Sequence, residues 1–177
     1  MGTWKDDDYL PYADECYPLS KHFGGPGVAG LMNKKNLKGL IIHITDGNIL
    51  LPNLKSTWET RFASAHFAVD KGGTTAQYIA LSQRSWAVDG SHIDNLWYSV
   101  ENVAVLGNTL TDMQIRTCGY LLSWLNSEFQ TPFQVVKSPG DSGLAYHSFF
   151  TKSKPCPGQP VIDQLQDIVD FAISLSG

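Results

Sequence analysis

Five histidines and three cysteines carry most of the metal-binding and nucleophilic capacity of this chain. His43 closes the apolar run Gly39-Leu40-Ile41-Ile42-His43-Ile44, so a buried strand would present its imidazole near the sheet edge. His147 follows Gly143-Leu144-Ala145-Tyr146 and is expected in a loop. Cys156 comes nine residues later, in Lys154-Pro155-Cys156-Pro157-Gly158, where flanking prolines stiffen the turn. Two imidazoles and one thiolate suit zinc, and three protein ligands leave a fourth position for water, as in a catalytic site. The three lie far apart in sequence, and each histidine taken alone reads more readily as a structural residue than as a ligand. Three cysteines are an odd number, so at least one is free, metal-bound or paired between chains. Cys118 falls in a predicted helix and is expected in the core; the role of Cys16 stays open.

Strands and helices must bring these residues together. Residues 37–44 read as a buried central strand, too short and too β-branched for a typical helix. Residues 50–62 read as a helix with Trp58 and Phe62 on one face. Residues 65–70 and 74–81 form a predicted hairpin across Lys71-Gly72-Gly73, residues 84–88 an extended piece, and residues 98–106 a strand. Alternation along that last strand puts Ser99, Glu101 and Val103 on one face. A helix begins after Thr111, where Thr111 and Gln114 make a capping box and Leu110 and Ile115 a hydrophobic staple. Cys118, Leu121, Leu122 and Leu125 form its apolar stripe. A last helix starts near Pro160, with Val161, Ile162, Leu165, Ile168, Val169, Ala172 and Ile173 on its core face. This alternation predicts a single α/β domain, a central mixed β-sheet flanked by α-helices on both sides. Residues 1–36 read as an irregular N-terminal arm, or short helices, packed on that domain, which spans 37–177; Gly24-Gly25-Pro26-Gly27 in the arm is a turn signal.

With 42 % hydrophobic and 11 % aromatic residues, the chain of 177 can bury a proper core. A net charge of −4 without a basic stripe argues against a nucleic-acid partner. The cluster Lys34, Lys35 and Lys38 reads as a solvated turn. No apolar run approaches the roughly 20 residues of a membrane span. The opening MGTWKDDDYLPYADE lacks a basic start and an apolar core, so no signal peptide is expected.

Five blocks occur in an order that resembles the N-acetylmuramoyl-L-alanine amidase type 2 family, which includes phage lysozyme-type amidases, recycling amidases and peptidoglycan recognition proteins. They are Leu40-Ile41-Ile42-His43-Ile44-Thr45, Ser64-Ala65-His66-Phe67-Ala68-Val69-Asp70, Arg84-Ser85-Trp86-Ala87, Tyr98-Ser99-Val100-Glu101-Asn102, and Tyr146-His147 with Lys154-Pro155-Cys156-Pro157-Gly158. The resemblance implies a zinc-dependent hydrolase cutting the amide between N-acetylmuramic acid and L-alanine in bacterial peptidoglycan. It implies zinc ligands His43, His147 and Cys156. Lys154 would stabilise charge on the scissile carbonyl oxygen, Glu101 would act as general base, and Trp86 would line the substrate groove. His66 is expected to support the cleft wall, and His22 and His92 match no role. Many members carry Tyr where this chain has Ala65, and His where it has Ala87; the first departure makes Glu101 the expected proton carrier. The plainer alternatives are a solvated or ion-paired Glu101, a surface Lys154 and a core Trp86. For the whole chain the alternative is a non-catalytic peptidoglycan-binding module of the same fold. A monomer acting on cell wall is expected, as a phage lysin or delivered antibacterial toxin, with cytoplasmic recycling as another setting.

Overall fold

The run at 39–44 is apolar on both faces because it becomes an inner strand of a sheet covered on both sides. A computed structural model describes residues 4–19, 30–61, 63–88 and 92–177. In chain order the elements are β1 (Glu15–Cys16), β2 (Gly39–Ile44), α1 (Leu51–Thr60), β3 (Phe67–Val69), β4 (Thr75–Gln77), β5 (Trp97–Asn102), α2 (Asp112–Phe129), β6 (Gly143–Tyr146), the short turn of helix α3 (His147–Phe150), α4 (Gln159–Asp163) and α5 (Leu165–Ser174). The six strands form one mixed sheet in the order β1-β4-β3-β5-β2-β6. The β3–β4 hairpin is antiparallel, and the other four pairings are parallel.

Side-chain alternation sorts β2 between two layers. Leu40, Ile42 and Ile44 join Val100, Phe67 and the inner faces of α2 and α5 in the main core. Ile41 faces the other way, with Trp97, Ala145 and the α3 residues Phe149 and Phe150. On that second face α1 packs Leu51, Leu54 and Trp58 against Ala68, Ala76 and Tyr78. The single α/β domain with helices on both sides is therefore the architecture the sequence pattern predicts.

The capping box at Thr111 forms as expected: its side chain accepts from the Gln114 N–H, and Gln114 accepts from the Thr111 N–H. Cys118, Leu121, Leu122 and Leu125 are all buried beneath α2. Four elements differ from expectation. The strand expected over 98–106 stops at Asn102, because its neighbours β2 and β3 end opposite that residue; beyond it only single bonds follow, from Val103 N–H to the Val69 carbonyl and from Gly47 N–H to the Ala104 carbonyl. The single C-terminal helix is divided at Gln164, whose side-chain amide clamps both backbone polar groups of Leu110. Ile173, expected on the core face, is 49 % exposed at the end of α5. Within the arm, where irregular structure or short helices are expected, short helical turns form at Asp6–Asp8 and Lys34–Asn36, but β1 also adds to the sheet beside β4, and Leu10 and Met32 enter the main core. Phe62, His22 and the turn at 24–27 lie outside the described residues.

Gly39 lets β2 approach β6, and Gly143 lets the 132–134 segment approach β6. Gly39 has φ +151°, and a Cβ there would collide with the carbonyl oxygen of Gly143; a Cβ on Gly143 (φ +135°) would meet the Gln134 carbonyl oxygen. Both obstacles are backbone and cannot rotate aside. Gly39→Ala is expected to destabilise by about 3 kcal/mol or more. Gly107→Ala has an unfavourable φ of +90° but open space around it, and should cost only about 1–2 kcal/mol. Urea midpoints of the two variants check this; equal shifts would remove the close-approach explanation.

Candidate metal centre

β2 places His43 one residue from its C-terminal end, between β5 and β6, on the face opposite α2. The residue is 2 % exposed. Burial holds its pKa well below the usual imidazole value, and the neighbouring His147 lowers it further, so the ring is neutral at pH 7 and keeps a lone pair. Parallel pairing brings Tyr146 level with Ile42, which delivers the next residue, His147, beside His43. His147 is thus the first residue of α3 directly after a strand, rather than a loop residue as expected. The two Nδ1 atoms are 3.1 Å apart. Two ring nitrogens at that distance either share a proton or point their lone pairs at one cation.

Cys156 closes the group from the turn after α3. Its carbonyl accepts from the Ser148 N–H at 2.9 Å, and its Sγ accepts from the Ile44 N–H at 3.3 Å. Burial, with the Glu101 charge as a smaller cause, pushes the thiol up to about 12, so a cation is needed to hold it as thiolate at neutral pH. Ligand atoms of His43, His147 and Cys156 all lie within 4.8 Å of one another. Tetrahedral zinc with Zn–N near 2.0 Å and Zn–S near 2.3 Å implies donor separations of about 3.3–3.6 Å. The 3.1 Å nitrogen pair is close to that edge, and the soft-plus-imidazole donor set is one zinc prefers. The residues fit the metal. Cys16 is exposed and Cys118 is buried in the core, so neither joins them.

Glu101 stands opposite His43 in the β2–β5 register and therefore on the same sheet face. Its Oε2 is sealed from solvent without a hydrogen-bond partner, and burial raises its pKa to about 8. Such a carboxyl, beside a ligand cluster, is set up to hold and pass a proton. Lys154 is exposed on the turn before Cys156, and among the described residues its ammonium makes no ion pair. Trp86 is half-buried. Its segment bridges to Ser64, and the guanidinium of Arg84 lies 5.5 Å from its ring centroid. The structure thus gathers the two histidines, Cys156 and Glu101 at one place and leaves Lys154 and Trp86 at more open positions.

His66 is fully buried and away from the cluster. Its Nε2 lies 2.9 Å from the Gln83 carbonyl oxygen, which can only accept. That proton leaves Nδ1 as an acceptor facing Ser99 Oγ at 3.2 Å, and Ser99 in turn contacts Ser85 Oγ at 3.0 Å. The network pins the segment carrying Trp86 to β5, a structural role. His92 is exposed and outside the cluster. One contributor escaped the sequence reading: Asn102, fully buried, donates from Nδ2 to the His43 carbonyl at 3.3 Å and accepts from the Cys118 thiol at 3.4 Å. Its signal in the sequence was its place next to Glu101 in the block Tyr98-Ser99-Val100-Glu101-Asn102, which assigned it no role.

Residues 33–159 match the family model described as N-acetylmuramoyl-L-alanine amidase. No curated protein sequence matches the chain. Solved structures share its fold at low identity. N-acetylmuramoyl-L-alanine amidase LysC from Clostridium intestinale URNW aligns with TM-score 0.61 and 13 % identity over 88 % of this chain and 97 % of that one. A mutant endolysin from Bacillus subtilis aligns with TM-score 0.65 and 13 % identity over 89 % and 97 %. The Staphylococcus aureus hydrolase AmiA, solved with its ligand, aligns with TM-score 0.62 and 14 % identity over 93 % and 85 %.

Proposed function

The chain belongs to the N-acetylmuramoyl-L-alanine amidase family, and from that premise we propose that it is a zinc hydrolase cutting the bond between N-acetylmuramic acid and L-alanine in bacterial peptidoglycan. The observation that carries this reading is the convergence of His43, His147 and Cys156 within 4.8 Å, beside a half-buried carboxyl group whose Oε2 is sealed and unpartnered. On this reading residues 37–177 are the amidase domain and residues 1–36 an arm packed on it, and the protein acts as a monomer.

When bound, zinc supplies Lewis acidity that brings the pKa of water from 15.7 toward about 7 and polarises a carbonyl. His43 and His147 would hold it as neutral imidazoles and Cys156 as thiolate, the Ile44 N–H fixing the sulfur and Asn102 fixing the backbone of His43. Without a cation nearby, the raised pKa of about 8 keeps Glu101 mostly as the neutral acid at pH 7. A cation in the ligand set would favour its charged form, so that it takes a proton from the attacking water and returns it to the departing L-alanine nitrogen, a transfer worth roughly 10²–10⁴-fold. Lys154, unpaired and exposed, swings over the lactyl carbonyl and meets the charge growing on its oxygen. Trp86 offers its ring as a groove wall. Ala65, 1 % exposed, carries no acid–base group, which leaves Glu101 to move the proton.

Purified cell wall incubated with the zinc-loaded protein should release stem peptides with a free L-alanine amino terminus, and a chelator should stop release. Intact wall, with binding retained, would instead support a binding module of the same fold. Lys154→Met is expected to keep one zinc per chain and lower kcat by about 10²–10³-fold, the loss of one oxyanion donor. An unchanged kcat would place Lys154 outside the mechanism. No helix among the described residues is long and apolar enough to cross a membrane. The Lys154-Pro155-Cys156 ending favours a lysin-type setting over recycling.

A further inference from the structure

A cavity of about 850 Å³ opens on the far side of the sheet from the metal cluster, between the N-terminal arm, the β3–β4 turn and α2. Its volume is that of a small-ligand site. Tyr120, Trp124 and Glu128 recur every four residues along one face of α2, and Tyr12 and Asp14 face them from the arm. Tyr120 is 53 % and Tyr12 67 % exposed, so two aromatic rings stand open to solvent at the rim. Trp124 is 7 % exposed. Its ring packs on Phe67, Tyr98 and Phe129, while its indole N–H has no acceptor among the described residues.

The chemistry of the lining selects its ligand. No lysine or arginine is among the lining residues, and the charged groups there are the carboxylates of Asp14 and Glu128. Asp14 already accepts from the Thr75 N–H at 2.7 Å. Phosphate-bearing polymers and acidic peptides are therefore repelled. A neutral ligand with apolar ring faces and many hydroxyls suits open tyrosines, a waiting N–H donor and a free carboxylate acceptor. We propose that this cavity binds a short glycan of N-acetylhexosamine units, a second hold on the wall polymer remote from the chemistry. Sugar faces stack on Tyr12 and Tyr120, the Trp124 N–H donates to a sugar oxygen or acetamido carbonyl, and Glu128 accepts from a hydroxyl. A second contact on the same polymer raises the local concentration of scissile bonds at the front face without a new catalytic group. The choice of ligand rests on the amidase reading; the binding itself does not.

The test uses chitotriose, which carries no stem peptide and so no bond for the amidase site. The zinc-loaded chain, labelled with nitrogen-15, is titrated while the Trp124 indole resonance is followed, assigned through Trp124→Phe. Saturable movement of that resonance is expected. Tyr120→Ala and Tyr12→Ala, both at solvent-exposed positions, should each weaken binding about three- to tenfold. They should leave the turnover of a soluble muropeptide unchanged and slow that of insoluble wall. An unmoved Trp124 resonance overturns the proposal, as does binding that both alanine variants retain in full. Trilysine moving the resonance where chitotriose does not would assign the cavity to cations and also overturn it. Chitotriose binding with no wall cleavage would sink the amidase reading alone; wall cleavage without chitotriose binding sinks this proposal alone.

Discussion

Cys156→Ser is expected to lose zinc and wall cleavage together. Serine preserves the shape of the turn, but its hydroxyl does not ionise to a soft anion near neutral pH, and a softer thiolate is the one anionic donor of the cluster. Residues that merely orient a ligand are worth about 10–100-fold in metal affinity, so removing a ligand exceeds that. Zinc content should fall from one per chain to about a tenth or less, and turnover by more than about a thousandfold, the scale of losing metal assistance altogether. Thermal unfolding separates this from misfolding. A metal that binds the folded chain stabilises it, so a chelator should lower the wild-type Tm and leave the variant's Tm where it was. A serine variant that keeps stoichiometric zinc and full turnover would end the metal assignment.

Glu101→Gln is expected to do the opposite to metal and the same to turnover. The carboxamide fills the space of the carboxylate but carries no proton between water and amine, so kcat should fall about 10²–10⁴-fold at unchanged zinc content. The wild-type carboxyl is sealed at Oε2 without a partner, and its pKa of about 8 records the penalty for burying the charge. Replacing it by a neutral group removes that penalty, so the variant should melt no lower than wild type. Full activity would return Glu101 to the status of a half-buried strand residue, and loss of zinc would make it part of the ligand shell. Either result is read from metal analysis beside product release.

Much of this was legible before any coordinates. The strand at 39–44, the hairpin around Gly72, the capped helix after Thr111 and the mixed sheet follow from local rules: apolar runs, turn residues and hydrogen-bonding caps act within a few positions of one another. Boundaries followed less well. β5 ends at Asn102 because its neighbours end there, and the C-terminal helix breaks at Gln164 because that side chain serves Leu110, 54 residues away. Neither cause is local, so neither leaves a mark in the adjoining residues.

The same division holds at the site. Residue type marked His43, His147 and Cys156 as donors that suit zinc, and the ordered blocks resembling the amidase family gave them their roles as ligands and gave Glu101 its role as base. Their convergence was decided only by parallel pairing of β2 with both β5 and β6, which brings residues 43, 101 and 147 to one sheet end across separations of 46 to 104 positions. The sealing of Glu101, the hold of Asn102 on His43 and the open cavity behind α2 likewise belong to the packed molecule. Burial and hydrogen-bond satisfaction are properties of a side chain's neighbours in space, and a chain read in order shows only its neighbours in line.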